Sequence, residues 1–476
     1  MNKRILILLL AISNTTVSAQ NEIDALRYST NNILGSARYS AMGGAFGSLG
    51  GEFSSLSTNP AGLGMYEFSE FTFTPNINLN NRTSYHNNKL AAYRSGMNIG
   101  SLGIVASTPK ENSNWKRINV GIGWNQLANY NITTEIEGYS NTSIVNAFID
   151  EATGVLIEDL SIHNNPNLEM AWHTHLIDPM YLNDTVLQNG QYQSNFSSES
   201  KRQSKYIESS GSMNEFLLSI ATSYKDKLYL GATLGVNTIN YYEYSEYSES
   251  ERTDTTNDLR GMVLSEEVSA YGIGYNLKIG AIYRISKNTK IGGAIHTPKF
   301  FNIEENYNTS MATFFKDSTR SYWLGYPTPF TYYLVTPLKA IISASTIFNN
   351  NILVSAEYEM IDYSLAQYLS SGFDSENQII SETYQKAGNI KLGTEINLNP
   401  FLLRAGYTRY GNASADLDKT ADRYSFGLGI NSNTYFFDLA YILSQSKEEH
   451  LLYINTNPIT LIDTQHSIRF TVGFRY

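Results

Sequence analysis

Long stretches of the chain alternate between apolar residues and residues that are polar or small. In residues 228–236, Leu, Ala and Val occupy every second position, and residues 468–476 repeat such a pattern. A period of two residues is that of a β-strand whose two faces differ. The alternation predicts 14 strands, at 68–79, 96–107, 118–136, 213–224, 228–245, 265–285, 289–304, 331–347, 352–365, 388–398, 401–411, 422–431, 434–446 and 464–476.

The segments between these predicted strands alternate in length. Short turns at 226–227, 286–288, 349–351, 399–400 and 432–433 separate polar segments around 137–212, 246–264, 305–330, 366–387, 412–421 and 447–463. Outer-membrane barrels have short periplasmic turns and long extracellular loops. A secreted sandwich also alternates in polarity, but nothing requires its loops to follow this rule. The predicted fold is therefore all-β, a closed transmembrane antiparallel β-barrel over 68–476 with a long extracellular loop near 137–212.

The last strand carries a second sign of a barrel. The chain ends in an aromatic residue, Tyr476, two positions after Phe474. This ending resembles the terminal strand that the outer-membrane insertion machinery recognises. In lipid, only a closed barrel satisfies every backbone group without leaving an edge. Phe474 and Tyr476 are therefore predicted to form the closing strand edge and the signal for the insertion machinery, in contact with outer-membrane lipid.

The N-terminus has the three parts of a secretory signal peptide. Two basic residues precede an apolar run at 5–12, and Val17-Ser18-Ala19 supplies small residues for cleavage, so residues 1–19 are predicted to be removed. The apolar run is too short for a spanning helix, which needs roughly 20 residues. The chain has 35 Tyr, 34 Gly, no Cys and a net charge of −10. This composition is typical of an outer-membrane barrel in bacteria, and the acidic balance argues against nucleic-acid binding.

Residues 39–66 fit neither a helix nor a strand. Gly43, Gly44 and later glycines weaken both elements, yet apolar residues recur through the segment and need an apolar environment. A barrel of 14 strands encloses a lumen that must be filled or conduct water. Residues 20–67 are therefore predicted to fold back into the barrel as a plug, with a rigid turn at Asn59-Pro60-Ala61.

Three motifs in this segment resemble a known family. Ala41-Met42-Gly43-Gly44-Ala45-Phe46, Ser54-Ser55-Leu56-Ser57 and Asn59-Pro60-Ala61-Gly62-Leu63 resemble the N-terminal hatch of the FadL/TodX family, outer-membrane transporters of long-chain fatty acids and other hydrophobic compounds. The resemblance implies passive uptake of a hydrophobic small molecule, without a cofactor, after the hatch rearranges. The ligand would leave toward the periplasm or sideways into the membrane. The hatch and gating residues are then Gly43, Gly44, Asn59, Pro60 and Ala61.

A structural role is the alternative function. Barrels that resemble this family also serve as accessory or scaffold subunits of outer-membrane secretion or assembly complexes. An enzyme is not predicted, because the seven histidines offer no hydrolase arrangement in the sequence. His173-Thr174-His175 lacks further metal ligands and is interpreted as an exposed pair, so no metal site is predicted.

Two sets of side chains are candidate ligand contacts. Apolar positions at helical spacing in the longest loop include Phe148, Ile149 and Leu156. This amphipathic helix either packs on neighbouring loops or forms a groove for ligand capture. Arg404 and Arg469 are predicted to face the lumen. There they either join a salt-bridged, hydrated lining or hold a ligand carboxylate between two guanidinium nitrogens.

Overall fold

The computed structural model describes residues 22–30, 33–160, 165–182, 186–194, 196, 200–251, 258–414, 421–453 and 456–476. The predicted signal peptide lies outside these residues. Among the described helices, none has the length and apolar character needed to cross a membrane. The helices are α1 (Glu22–Ser29), α2 (Ala37–Ala41), α3 (Ile144–Ala152), α4 (Ile157–Leu160), α5 (Pro166–His173) and α6 (Asp374–Thr383), and 3-10 turns occupy Phe53–Ser57, Pro60–Met65 and Tyr363–Leu365.

Most of the described chain is β-strand. The strands are β1 (Glu70–His86), β2 (Asn88–Pro109), β3 (Trp115–Asn129), β4 (Ile132–Ser140), β5 (Asp178–Leu182), β6 (Val186–Gln193), β7 (Lys201–Tyr224), β8 (Leu228–Glu251), β9 (Leu259–Arg284), β10 (Thr289–His296), β11 (Phe300–Phe315), β12 (Arg320–Leu324), β13 (Thr328–Val335), β14 (Lys339–Phe348), β15 (Ile352–Asp362), β16 (Gln367–Tyr368), β17 (Lys386–Leu398), β18 (Phe401–Tyr410), β19 (Ala421–Asn431), β20 (Tyr435–His450) and β21 (Ile459–Arg475). β5 and β6 form a hairpin of their own, and the other 19 strands form one sheet.

The large sheet closes into a barrel. β21 pairs with β20 on one side and with β1 on the other. Three positions in the wall are each built from two consecutive strands, namely β3 with β4, β10 with β11, and β13 with β14. β16 extends the position of β15, and β12 is a short side strand on β11. The wall therefore has 14 antiparallel positions, which confirms the predicted fold.

The outer surface of the barrel is apolar. On β7, Phe216, Leu218 and Ile220 are 48%, 50% and 55% exposed, whereas the intervening Leu217 and Ser219 are buried. The same alternation recurs around the wall and produces a belt of exposed large apolar side chains. A soluble surface rarely carries so much contiguous apolar area, and a lipid-facing barrel requires it. The period-two pattern in the sequence therefore arises because one face of each strand contacts lipid and the other faces the lumen.

Several strands extend beyond the alternating apolar segments. β1 and β2 continue to a tight hairpin at Asn87, although the alternation ends at 79 and resumes at 96. β8 continues to Glu251 in the same way. The added residues pair through the backbone while many of their side chains are polar, so apolar periodicity cannot reveal them. As a result, the connection between β4 and β7 covers 141–200, less than the predicted 137–212.

Residues 33–66 form a plug inside the barrel, in the half nearer the short turns. Nearly every described side chain in this segment is buried. Tyr39, Met42, Phe46 and Leu49 form one apolar cluster within the plug. A second cluster joins the plug to the wall and contains Phe53, Leu56, Leu63, Tyr66, Val105, Leu217 and Ala221. The apolar residues of the glycine-rich segment are thus buried against each other and against inward-facing wall residues.

The described residues between β4 and β7 close the opposite opening. We call this segment, 141–200, the cap. Ile144 and Phe148 of α3 and Leu168 of α5 pack with wall residues such as Leu259 and Met311 in a single apolar core. The core holds the cap over the barrel mouth, so the lumen is covered at this end as well as plugged at the other.

One part of the wall lacks a continuous ladder. β2 pairs with β3 only over 101–109, and its residues 88–99 pair with β1 alone. β4 pairs with β7, and no ladder joins β2 to β4 among the described residues. Arg94 of β2 donates from Nη1 to the Thr133 hydroxyl of β4 at 3.5 Å across this gap. We call it the β2–β4 seam, and it is bridged by side chains instead of backbone hydrogen bonds.

Candidate functional site

The Gly43–Gly44 turn of the plug lies directly against the wall. Ser36 caps α2, and the chain then turns back with φ of +61° at Gly43 and +72° at Gly44, a conformation that side chains disfavour. A Cβ at Gly43 would lie 2.8 Å from the Leu392 carbonyl oxygen and 3.0 Å from that of Tyr407. No larger residue fits at Gly43 without moving the plug away from β17 and β18.

Asn59 connects the plug to the wall at a second point. Its Nδ2 donates to the carbonyl oxygens of Gly47 at 2.6 Å and of Ala281 in β9 at 3.3 Å. Its Oδ1 accepts from the Ala61 N–H at 3.0 Å, and Pro60 begins the following 3-10 turn. Asn59 is fully buried. A single amide therefore organises the turn and binds it to the barrel, where a shorter or apolar side chain would leave these polar groups without partners.

Glycines of the wall make room for the plug, and sequence reasoning did not identify this role. A Cβ at Gly280 would lie 1.9 Å from Asn59 Oδ1, one at Gly231 would lie 2.3 Å from the Pro60 carbonyl oxygen, and one at Gly406 would lie 2.2 Å from the Gly43 nitrogen. The sequence feature that indicates this role is a glycine on the inward face of an alternating strand, such as Gly231 in β8. That pattern marks where another backbone approaches closely.

Ion pairs join the plug to the wall on the side of β17 and β18. Arg38 donates from Nε and Nη2 to the two carboxylate oxygens of Glu395, both at 2.9 Å. Arg404 donates to Glu395 at 2.6 Å and to Asp438 at 2.6 Å. Arg404 thus belongs to a buried ion-pair network, which is one of the two roles that the sequence predicts for it.

Further wall side chains bind the plug backbone. Glu357 accepts from the Gly47 N–H at 2.7 Å, and Nε2 of His296 lies 2.7 Å from the Thr58 carbonyl oxygen. Glu215 accepts from the Ser57 hydroxyl at 2.7 Å. These partners come from β7, β10 and β15, so the plug is held from several directions at once.

Arg469 differs from Arg404. It is buried, its Nη1 donates to the Ser40 hydroxyl of the plug, and its Nε has no hydrogen-bond partner. Among the described residues no carboxylate forms an ion pair with it. It lines a cavity of about 20 Å³ together with Arg423, Lys339, Lys391 and Glu359. Cations outnumber carboxylates in this cavity, although both lysines contact Glu359.

Glu52 is the acidic group of the plug itself. It is 6% exposed, and its carboxylate accepts from the Ser55 N–H at 3.1 Å, capping the first 3-10 turn. Burial raises the pKa of the Glu52 carboxyl to about 7. The carboxyl borders a cavity of about 150 Å³ on the short-turn side, which Arg38 and Glu70 also line.

The lumen between plug and cap contains α1. Arg27 of α1 lies over the ring of Tyr241, with the guanidinium carbon 4.1 Å from the ring centre. A cavity of about 250 Å³ lies beside it, lined also by Tyr130, Leu34, Arg423 and Gln465. This is the largest of the described cavities in the barrel.

The predicted capture residues do not form one open surface. Phe148 is buried in the cap core, Ile149 packs against it, and Leu156 is 40% exposed. In the predicted histidine pair, His173 stacks on Trp323 at 4.1 Å, and Nδ1 of His175 lies 3.1 Å from an oxygen of Asp178. The two histidines therefore have separate partners.

The C-terminal residues lie at the barrel closure. Phe474 is 49% exposed and pairs in register with Phe71 of β1 and Tyr435 of β20. Tyr476 is 75% exposed, and its N–H donates to the Ser69 carbonyl oxygen at 3.1 Å. Both side chains thus project from the outer face of the strand that completes the ring.

This architecture is similar to that of several proteins of known structure. No protein-family model matches the sequence, and no curated protein matches it. Solved structures do match. The toluene transporter TodX of Pseudomonas putida aligns over 93% of this chain and 98% of its own, with a TM-score of 0.54 and 14% identity. A Pseudomonas aeruginosa FadL homologue gives a TM-score of 0.56 and 11% identity over the same shares. The CymD monoaromatic hydrocarbon channel gives 0.51 and 13%, again over the same shares.

These identities are low, so the comparison concerns the fold. The match extends over nearly the whole of each chain and includes barrel and N-terminal plug alike. Together with the lipid-facing belt, it confirms the predicted location in a bacterial outer membrane. The chain has the fold of the FadL/TodX outer-membrane barrels.

Proposed function

We propose that the protein takes up hydrophobic small molecules, fatty-acid-like or aromatic, passively through a barrel gated by its plug. The observation that carries the proposal is the set of buried contacts at Asn59 and Gly43, which holds a non-strand segment across the lumen. The similar solved structures include a toluene transporter and a monoaromatic hydrocarbon channel, which supports a hydrophobic ligand.

In this proposal a ligand is captured at the cap, where Leu156 is exposed and where Phe148 and Ile149 become accessible only when the cap core opens, and it then moves into the cavity beside α1. Two exits are compatible with the wall and the plug. One passes the plug into the cavity beside Glu52 and Glu70. The other passes through the β2–β4 seam into the membrane, where no backbone ladder has to break. Neither exit requires an energy source, because the ligand moves down its gradient.

Arg469 is the arginine that fits a ligand carboxylate in this scheme. Its Nε has no partner and its cavity is rich in cations, whereas Arg404 is occupied by Glu395 and Asp438. A fatty-acid-like ligand would reach Arg469 only when the plug turn at Gly43 and Gly44, which borders the same cavity, moves aside.

The test compares two glycine variants of the plug in liposomes. Gly43→Leu drives a side chain into the wall, whereas Gly51→Leu carries the same positive φ, +63°, into space with no atom within 4 Å. We expect Gly43→Leu to leak small polar solutes and to lose selective uptake of a hydrophobic probe such as radiolabelled decanoate or toluene. The Gly51→Leu variant should stay closed to polar solutes and retain uptake.

Three outcomes contradict the proposal. If both variants and the native protein are equally open, the protein is a general porin. If all are equally closed and carry no hydrophobic probe, the plug is not a gate. If the barrel carries no hydrophobic probe and other protein subunits copurify with it in fixed proportion, the protein is a scaffold and not a transporter.

A further inference from the structure

The helix α1 fills an aromatic chamber in the lumen. Tyr28 of α1 makes edge contacts with Tyr130 and Tyr241, with ring centres 6.5 and 6.4 Å apart, and those two rings contact each other at 5.4 Å. The same apolar cluster continues through Tyr332, Tyr368 and Phe373, whose rings lie 4.6 to 6.0 Å apart. We call the wall and loop part of this cluster the aromatic chamber. Its occupant is a segment of the chain itself.

The chain places a cation in this chamber. The Arg27 guanidinium lies 4.1 Å from the centre of the Tyr241 ring and also contacts Asp24 in the same helix. Burial lowers the pKa of Arg27, but the charges of Asp24 and Glu243 and the tyrosines around it outweigh burial and raise it. The largest of these charges is that of Asp24 in α1 itself, and the wall contributes through Tyr241 and Glu243.

The wall residues of the chamber favour a cation even when α1 is absent. The Tyr241 hydroxyl donates to Glu243, and the Tyr332 hydroxyl donates to Glu305 at 3.1 Å. Donation to a carboxylate increases the electron density of a phenol ring, which strengthens its attraction for a cation. Attraction between a cation and a ring is largest where water is excluded, and both Tyr241 and Tyr332 are buried.

A cavity borders this position on one side. The cavity of about 250 Å³ is lined by both Arg27 and Tyr130, so it opens onto the occupied chamber. On its other side α1 contacts the loop helix α6, where the Tyr384 hydroxyl donates to the Glu22 carbonyl oxygen at 2.9 Å.

We propose that the aromatic chamber is a binding site for an organic cation with an aromatic or apolar body, which displaces α1 and takes the place of Arg27 over Tyr241. This inference rests on the proposed uptake function and adds a cationic ligand at a site separate from the Arg469 cavity. A neutral hydrocarbon gains only apolar contact in the chamber, and an anion meets Glu243 and Glu305. Because α1 precedes the plug directly in the chain, binding also removes one of the contacts at the start of the plug.

The test uses two probes of the same shape that differ in charge. Benzyltrimethylammonium is a cation, and neopentylbenzene replaces its nitrogen with carbon. Equilibrium dialysis against the purified full-length barrel measures the binding of each. We expect the cation to bind at least about tenfold more tightly than its isostere and Tyr241→Leu to remove this preference. Tyr241→Phe should keep part of it, because the ring face remains but the hydroxyl bond to Glu243 is lost. Arg27→Gln should tighten binding of the cation about tenfold, since the competing guanidinium is gone.

Matched controls lie on the outside of the barrel. Tyr275→Leu removes a lipid-facing ring that is 56% exposed, and Arg409→Gln removes an exposed guanidinium. Both should leave binding unchanged, and heat-modifiable migration on gels reports folding for every variant. Equal affinity for the two probes, or no cation binding in either the native protein or Arg27→Gln, overturns the inference. Uptake of decanoate or toluene in liposomes would still stand in that case, whereas a barrel that carries none of the probes refutes the proposed uptake itself.

Discussion

Arg38 of the plug and Glu395 of the wall form a two-point ion pair, with both nitrogen–oxygen distances at 2.9 Å. The two residues lie 357 positions apart in the chain. Arg404 donates to the same carboxylate, at the oxygen that also accepts from Arg38 Nε. This ion pair joins the plug, which moves in the proposed gate, to the wall, which stays in place.

Removing this ion pair should loosen the plug. We expect Arg38→Gln and Glu395→Gln each to increase leakage of small polar solutes, and a double-mutant cycle on unfolding in urea to give a coupling of about 1–3 kcal/mol. The exposed pair Arg202–Glu137 serves as control, and its coupling should be much smaller, with no leakage. Equal couplings for the two pairs would show that Arg38 does not hold the plug.

The plug should respond to pH through Glu52. Its pKa of about 7 in the plugged barrel lies above the ordinary value of 4.5, so the seated plug keeps a proton that a released, hydrated plug gives up. The stabilisation is complete below about pH 4.5 and is lost as the pH rises through 7. It amounts to at most about 3 kcal/mol. Leakage measured between pH 5 and 8 should therefore increase with pH, and Glu52→Gln should abolish the increase; a pH response retained in Glu52→Gln would assign it to another group.

The wall glycines should be as important for the plug as its own residues. Gly280→Ala places a Cβ against Asn59, and overpacking of this kind costs about 1–3 kcal/mol. We expect solute leakage with normal barrel assembly. Gly293→Ala is the matched control, because its nearest contact would be a carbonyl oxygen at 3.6 Å. Similar leakage from both variants, or from neither, would contradict the role assigned to Gly280.

The terminal strand should be required for assembly. β21 pairs along its length with both β1 and β20, so deleting residues 464–476 leaves two edges that lipid cannot satisfy. We expect the truncated chain to be absent from the outer-membrane fraction. The double variant Phe474→Ala and Tyr476→Ala should assemble at a reduced level, measured as the heat-modifiable band. Normal amounts of folded truncated protein would refute the closing role of this strand.

The barrel could be predicted because its two faces meet different environments. In β8 the lipid side is Leu, Ala and Val at every second position, and that contrast is visible in the sequence. β4 (Ile132–Ser140) is harder to place, since it pairs only with β7 and carries Thr and Glu among its residues. In the cap, the helical spacing of apolar residues predicts α3, but the sequence does not predict the wall residues, such as Leu259 and Met311, against which it packs.

The plug could be predicted as a segment, but its contacts could not. Asn59 and Ala281 lie 222 positions apart, and nothing in the local sequence links them. Arg404 and Arg469 look equivalent in an alternating pattern, and only the neighbouring strands decide that the first has two carboxylates and the second has none among the described residues. The role of α1 was missed for the same reason, because Tyr241 and Arg27 meet only in the folded barrel.

The plug contacts residues from nearly the whole circumference of the wall, and this has a consequence for biogenesis. Ala37 donates to Thr471 in the last strand, Leu63 accepts from Asn119 in the third, and Gly47 binds Glu357 in between. The first part of the chain to be exported therefore acquires its complete binding surface only when the last strand has joined the ring. Until then part of the surface that covers its apolar side chains is missing, so seating of the plug and closure of the ring are completed in the same step.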